Sequence, residues 1–251
     1  MEQEMIPKII HYCWFGKGEM PELAKKCINS WKKYLPEYEF VLWNEYNFNL
    51  EQYPYAKEAY RRKKFAFVTD VVRMYALYNY GGIYMDTDVE ILKPLDEFLH
   101  NQAFSGFESE NFFPTGLMAA EKGSLWAKDN LDWYDGKHFI KEDGSEDMTT
   151  NVIIIMNNMK KYNVKLDNSF QVFENYFTLY PKDYFCPLDH KTRSLLLTKN
   201  TASIHHFMGS WIDKRNSVSL LGKIWQKLNL PNTDVRKRIK RLINKNKVSR
   251  K

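Results

Sequence analysis

The chain has 251 residues, 44% of them hydrophobic and 27% charged, with a formal net charge of +6; this is close to ordinary globular usage and is long enough for one large α/β domain with a proper core. Three cysteines, Cys13, Cys27 and Cys186, are too few and too scattered for a disulfide framework or a zinc site. No run approaches the ~18 uninterrupted apolar residues of a spanning helix, and the first residues lack the basic-then-apolar pattern of a signal peptide, so a reducing cytoplasm is the expected compartment.

Lys8 to Phe15 (KIIHYCWF) reads as a buried first strand, rich in β-branched and aromatic residues. Pro21 opens a helix to about Tyr34, with Leu23, Cys27 and Trp31 at four-residue spacing, and Pro36 stops it. Phe40 to Trp43 is a second short strand, so the chain begins strand, helix, strand, the mark of an α/β sheet. Residues 51–80 are predicted mainly helical, with Val68, Val71, Val72, Tyr75 and Tyr78 on one stripe and Gly81-Gly82 as the stop. Ile83 to Met85 is a third strand, and Asp86 falls at its carboxyl end, where open α/β sheets bind ligands.

Further on, Ala103–Phe107 and Leu117–Ala120 are candidate strands. Trp133–Thr150 reads as a polar loop, Val152–Met159 as a helix, and Ser203–Phe207 as a last strand. Beyond it the charge changes character: residues 214–251 hold 13 Lys or Arg against one acid, Asp234, while the body is mildly acidic. Two units are therefore expected, a catalytic domain over 1–212 and a basic helical tail over 213–251.

Three constellations could carry chemistry. In Gly81-Gly-Ile-Tyr-Met-Asp86-Thr-Asp88, two carboxylates one residue apart leave a strand end together, which suits a hard cation such as Mn²⁺ or Mg²⁺ that keeps room for substrate phosphates. A bare Asp-x-Asp is otherwise a common solvated loop. Asp70 and Arg73 share a helix face, either as an intrahelical ion pair or as a polar pair aimed at a ligand. In His205-His206-Phe-Met-Gly209-Ser210-Trp211, a histidine could join the two aspartates, the glycine permits close approach to a phosphate, and the indole N–H can donate.

The ordered series Ile6-Pro-Lys-Ile-Ile-His11, Trp14, Ser30-Trp31, Trp43, Asp70-x-x-Arg73 and Gly81 to Asp88 resembles glycosyltransferase family 32, densely from Ile6 to Leu95 and again at His205–Trp211. That resemblance implies a GT-A type α/β fold and a retaining, metal-dependent transfer of a hexose from a nucleotide sugar, a UDP-sugar by preference. The acceptor would be a saccharide or lipid-linked oligosaccharide of capsule or surface-polysaccharide synthesis. By the same resemblance Trp14 stacks on the donor base, and Asp70 and Arg73 hold the sugar hydroxyls and phosphates. Tyr84 and Asp86 lie near ribose and sugar, with Asp86 also close to the metal. Asp88 is a direct metal ligand, and His206, by its spacing to Gly209 and Trp211, is the late ligand in preference to His205. Ser210 and Trp211 face the diphosphate. Asn151 matches an amide near the anomeric carbon, and Glu108 and Asp147 are further candidates.

In the tail, Leu220, Leu221, Ile224, Trp225 and Leu228 form one apolar stripe, and Val235, Ile239, Leu242 and Ile243 another, interleaved with Arg and Lys. Such a segment suits an anionic membrane surface, at the inner face of the cell membrane, and no nucleic-acid partner is expected. Two other functions compete. An aspartyl-phosphate phosphohydrolase would use Asp86-Thr-Asp88 but lacks a later acidic pair at a strand end. A nucleic-acid-binding protein would use the tail but leaves the body unexplained.

Overall fold

The computed structural model describes residues 6–114 and 116–209. Its architecture is the expected α/β class. A seven-stranded sheet is formed by β1 (Ile9–Cys13), β2 (Glu39–Trp43), β3 (Gly82–Met85), β5 (Ala103–Gly106), β6 (Leu117–Ala120), β7 (Gln171–Phe173) and β8 (Phe177–Tyr180), in the order β2-β1-β3-β6-β5-β8-β7. The pairs β1–β2, β1–β3 and β5–β8 are parallel, whereas β6 runs antiparallel to both β3 and β5, and β7 antiparallel to β8. The carboxyl ends of β1, β2, β3, β5 and β8 therefore open on one edge. A second, two-stranded sheet pairs β4 (Val89–Ile91) with β9 (Ser203–His205) in antiparallel register.

Helix α1 (Glu22–Tyr34) buries Ala24, Cys27 and Trp31, the stripe that the sequence shows. Trp31 donates its indole N–H to the Val89 carbonyl at 2.6 Å, and the Ile91 N–H donates to Ser30 Oγ at 2.9 Å, so α1 clamps β4 in place. Residues 51–80 divide into α2 (Pro54–Arg61) and α3 (Phe65–Tyr80). At the end of α3 the chain turns directly into β3 through Gly82, at φ 107°, where a Cβ would lie 2.5 Å from the Ile9 carbonyl oxygen; only glycine lets β3 lie this close to β1.

One core cluster gathers Ile10, Trp31, Ile83, Met85, Phe98 and Phe104, and Phe67, Val71, Trp126, Phe139 and Ile155 are buried outside it. The predicted helix near 152–159 is α5 (Asn151–Met159), one residue longer at its start. The first strand is shorter than expected, ending at Cys13 because Gly16, at φ 95°, turns the chain away. Helices α4 (Leu125–Leu131) and α6 (Lys182–Phe185) and strands β4, β7 and β8 have no counterpart in the sequence reading. No described helix is long and apolar enough to cross a membrane. The boundary expected at 212/213, and the tail beyond it, lie outside the described residues.

Candidate active site

Asp86 follows the last residue of β3, and its N–H donates to the Gly116 carbonyl at 2.8 Å. That bond extends the β3–β6 pairing by one step and aims the carboxylate off the open edge. Tyr84 Oη donates to Asp86 Oδ1 at 2.8 Å, and Arg73 Nη2 lies 3.4 Å from the same oxygen. The Arg73 guanidinium also lies 3.3 Å from Asp70 Oδ1 and sits 4.5 Å over the Tyr84 ring. Asp70 and Arg73 are both buried, so they are not a solvated intrahelical pair. They form the floor beneath Asp86. Tyr84 belongs to that floor too, since its hydroxyl is directed to Asp86.

Asn151 enters from α5: its N–H donates to Asp70 Oδ2 at 3.1 Å, while its side-chain amide nitrogen is buried with no hydrogen-bond partner. A buried unpaired donor beside a carboxylate cluster is a group prepared for a ligand. Asp147 is not brought in. Its Oδ1 accepts from the Thr149 N–H and hydroxyl at 3.1 and 2.7 Å, capping the turn before α5.

The late histidine is where structure and sequence part. In the β4–β9 ladder Val89 pairs with His205 and Glu90 with Ile204. Opposite residues share a face and neighbours alternate, so His205 turns inward with buried Val89 and His206 to the other face with Glu90, while Asp88 sits in the turn before β4 and reaches His205 from there. His205 Nε2 lies 3.3 Å from Asp88 Oδ1 and 4.0 Å from Asp86 Oδ2, whereas His206 Nε2 hydrogen-bonds Glu90 Oε2 at 2.7 Å. His205, not His206, stands with the aspartates. The spacing to Gly209 says nothing of how β9 pairs with β4 or of the turn that carries Asp88, and those bring His205 to the aspartates.

Asp86, Asp88 and His205 each offer a ligand atom, and these lie within 4.8 Å of one another. A divalent ion bound at ~2.0–2.2 Å to oxygen and nitrogen needs such a spacing. Gly116 supplies the room, since a Cβ there would come within 2.9 Å of Asp86 Oδ2 and 3.2 Å of His205 Cε1. The residues present therefore fit a small divalent cation.

The electrostatics agree. Burial works against the charged imidazole, but its bond to Asp88 and the neighbouring Cys186 raise the His205 pKa well above its usual value. Asp88 is also buried, yet His205 and the Met208 N–H hold its pKa below the usual carboxylate range. The two form an ion pair, and a divalent ion at this point would displace the imidazole proton. Glu108, just past β5, places Oε2 3.9 Å from the buried His205 Nδ1. Burial, opposed by His205 and aided by Asp86 and Asp88, pushes the Glu108 pKa up to about 7. Asp70 is pushed up to about 6 by burial against the pull of Arg73 and the Asn151 N–H. Of the two further candidates, Glu108 is brought to the cluster and Asp147 is not, while nothing in the sequence marks Gly116, which matters through approaches made only in the fold.

Trp14 follows β1 at the same edge. It is half-buried and donates its indole N–H to the Gly18 carbonyl at 2.6 Å, so it is not a core residue. Gly209 has φ 60°; Ser210 and Trp211 lie outside the described residues.

Residues 21–105 match the family model described as a glycosyltransferase sugar-binding region containing a DXD motif. Inositol phosphoceramide mannosyltransferase 3 of Schizosaccharomyces pombe is 36% identical over 126 residues, 47% of this chain and 34% of that protein. Mannosyl phosphorylinositol ceramide synthase SUR1 of Saccharomyces cerevisiae is 31% identical over 148 residues, 55% of this chain and 37% of that protein. The chain thus spans about a third of the length of these curated relatives. Among solved structures, the galactosyltransferase LgtC in complex with donor and acceptor sugar analogs is 12% identical, with 91% of this chain and 99% of that one covered at a TM-score of 0.45.

Proposed function

We propose that this chain is a metal-dependent glycosyltransferase that moves a hexose from a nucleotide sugar to a saccharide or lipid-borne acceptor, with retention at the anomeric carbon. The observation that carries the reading is the convergence of Asp86, Asp88 and His205 at the carboxyl edge of the sheet, over a buried Arg73, with Arg73, Asp86 and Asp88 inside the residues, 21–105, that match a glycosyltransferase sugar-binding region. Asp86, Asp88 and His205 would hold Mn²⁺ or Mg²⁺, which supplies Lewis-acid neutralisation of the departing diphosphate. Arg73 fixes the Asp86 carboxylate and keeps a positive charge under the phosphates as negative charge develops on them. The unpaired amide of Asn151 is free to donate to a sugar hydroxyl or to the acceptor, and Trp14 offers a ring face to the base.

The relatives are named for mannosyl transfer to inositol phosphoceramide, so a nucleotide-linked mannose joins UDP-glucose and UDP-galactose as a donor, and a glycolipid joins capsule saccharides as an acceptor. The test is a panel of nucleotide sugars scored for Mn²⁺-dependent hydrolysis and for a rise in melting temperature, which a ligand specific to the folded state must cause. Turnover should vanish in Asp88→Ala, a loss of several kcal/mol of transition-state stabilisation, while the fold persists by circular dichroism. Hydrolysis of phosphomonoesters in place of nucleotide sugars, or full turnover in Asp88→Ala, overturns the reading.

A further inference from the structure

Residues 187–200 join α6 to β9 as a loop tied down along its length. Asp189 Oδ1 accepts the N–H groups of Lys191 and Thr192 at 2.9 and 2.7 Å, and the Arg193 N–H donates to the Asp189 carbonyl at 2.8 Å. Leu188 and Leu195 form a β-bridge, and Thr198 Oγ1 and Asn200 Nδ2 both donate to Asp183 Oδ2, at 2.8 and 3.0 Å. Despite this order, Leu195, Leu196 and Leu197 stay 46%, 68% and 52% exposed. A single exposed leucine needs no explanation; three in a row on an anchored loop make a contiguous apolar patch, which marks a contact surface.

The same stretch carries Lys191, Arg193 and Lys199, all exposed. Leucines that can enter the acyl boundary, flanked by cations that can meet anionic headgroups, are the composition of a segment that lies in a membrane interface. The loop is also coupled to the site. Arg193 Nη1 donates to the His206 carbonyl at 2.9 Å, and the loop runs directly into β9, which ends on His205.

We propose that Leu195–Leu197 insert into the interfacial layer of an anionic membrane, with Lys191, Arg193 and Lys199 on its headgroups, and so hold the Asp86–Asp88–His205 site at the lipid surface. Delivery of a lipid-borne acceptor rests on the transferase reading; the membrane contact does not.

The experiment places an environment-sensitive fluorophore on Leu196→Cys in the full chain, whose three native cysteines are buried. Vesicles of phosphatidylcholine with phosphatidylinositol should shift the emission to the blue and raise it severalfold, and pure phosphatidylcholine should do so less. The same label on Leu125→Cys, an exposed leucine of α4, should not respond. No shift at 196 while vesicles sediment the protein puts the membrane contact elsewhere and overturns the proposal, as does failure to bind either vesicle. Emission already blue before vesicles are added means that the chain itself or a second copy covers the patch, and overturns it too. In the triple variant L195S/L196S/L197S, vesicle stimulation of transfer to a lipid acceptor should be lost with donor hydrolysis in solution unchanged. Absence of donor hydrolysis in the parent chain would defeat the transferase reading alone, and leave the fluorescence result standing.

Discussion

Gly116→Ala tests whether Asp86 and His205 act on one ion. The backbone at Gly116 is one that any residue adopts, so the substitution acts through space alone. The added Cβ would lie 2.9 Å from Asp86 Oδ2, 3.2 Å from Asp86 Cβ and 3.2 Å from His205 Cε1. Non-bonded carbon atoms rest at about 3.5–4.0 Å, so both side chains must withdraw by several tenths of an ångström. Metal–ligand distances tolerate about 0.2 Å, and the withdrawal exceeds that. An extra methyl forced into a packed site costs about 1–3 kcal/mol. Borne by the metal-bound state, at about 1.4 kcal/mol per tenfold, this weakens Mn²⁺ binding by roughly five- to 150-fold. Calorimetric titration with Mn²⁺ in the presence of the donor's nucleoside diphosphate reads the affinity, and the melting temperature of the metal-free protein reads the fold. Gly18→Ala is the control, since its new methyl meets nothing within 4 Å. Unchanged Mn²⁺ affinity in Gly116→Ala, or an equal loss in both variants, would refute the reasoning.

Because His205 lies 3.3 Å from Asp88 and His206 is bonded to Glu90, His205→Ala should raise the Mn²⁺ concentration needed for donor hydrolysis, while His206→Ala leaves it near the parent value; the reverse result would restore the spacing argument. Trp14→Ala should raise the donor's KM with little change in melting temperature, because a ring stacked on a base contributes about 1–3 kcal/mol. A collapse in melting temperature at unchanged KM would make Trp14 a packing residue. Buried His11 accepts from the Trp43 indole N–H at 3.1 Å and donates to the Gly81 carbonyl at 2.8 Å, and burial lowers its pKa to about 4. The unfolded chain takes up that proton first, so stability should fall by up to about 3 kcal/mol as pH drops from about 6.5 through about 4; denaturant melts of the parent and His11→Gln at pH 7 and pH 4.5 measure it, and parallel losses in the two would refute the assignment.

What the sequence disclosed was local. The run Ile83–Met85 ends in an acid, so both β3 and the place of Asp86 at its carboxyl end were readable, and Leu117–Ala120 was readable as an apolar run. The spacing of Asp70 and Arg73 showed a shared helix face, but whether that face met water or Asp86 depends on how α3 packs on the sheet. The histidine choice failed for the same reason at longer range. It turns on the pairing of Val89 with His205 across more than a hundred residues, and β4 was not foreseen because it spans three residues. The alternation of Val89, Glu90 and Ile91 marks the inward face of β4, but neither the register with β9 nor the turn that carries Asp88 is written in it.

That short strand also explains a motif that stood without a task. In the sequence Trp31 belongs to the apolar stripe of α1 and Ser30 only to a family likeness, and both lie far from any ligand chemistry. In the fold, Trp31 donates to the Val89 carbonyl and Ser30 Oγ accepts from the Ile91 N–H, which fixes both ends of β4 on α1. A three-residue strand has too few ladder bonds to stand alone, and β4 must hold Asp88 on one side while presenting its other edge to β9. The polar atoms of Ser30 and Trp31 thus act on the Asp86–Asp88–His205 cluster through the backbone, by setting the strand that follows Asp88 and that His205 pairs with.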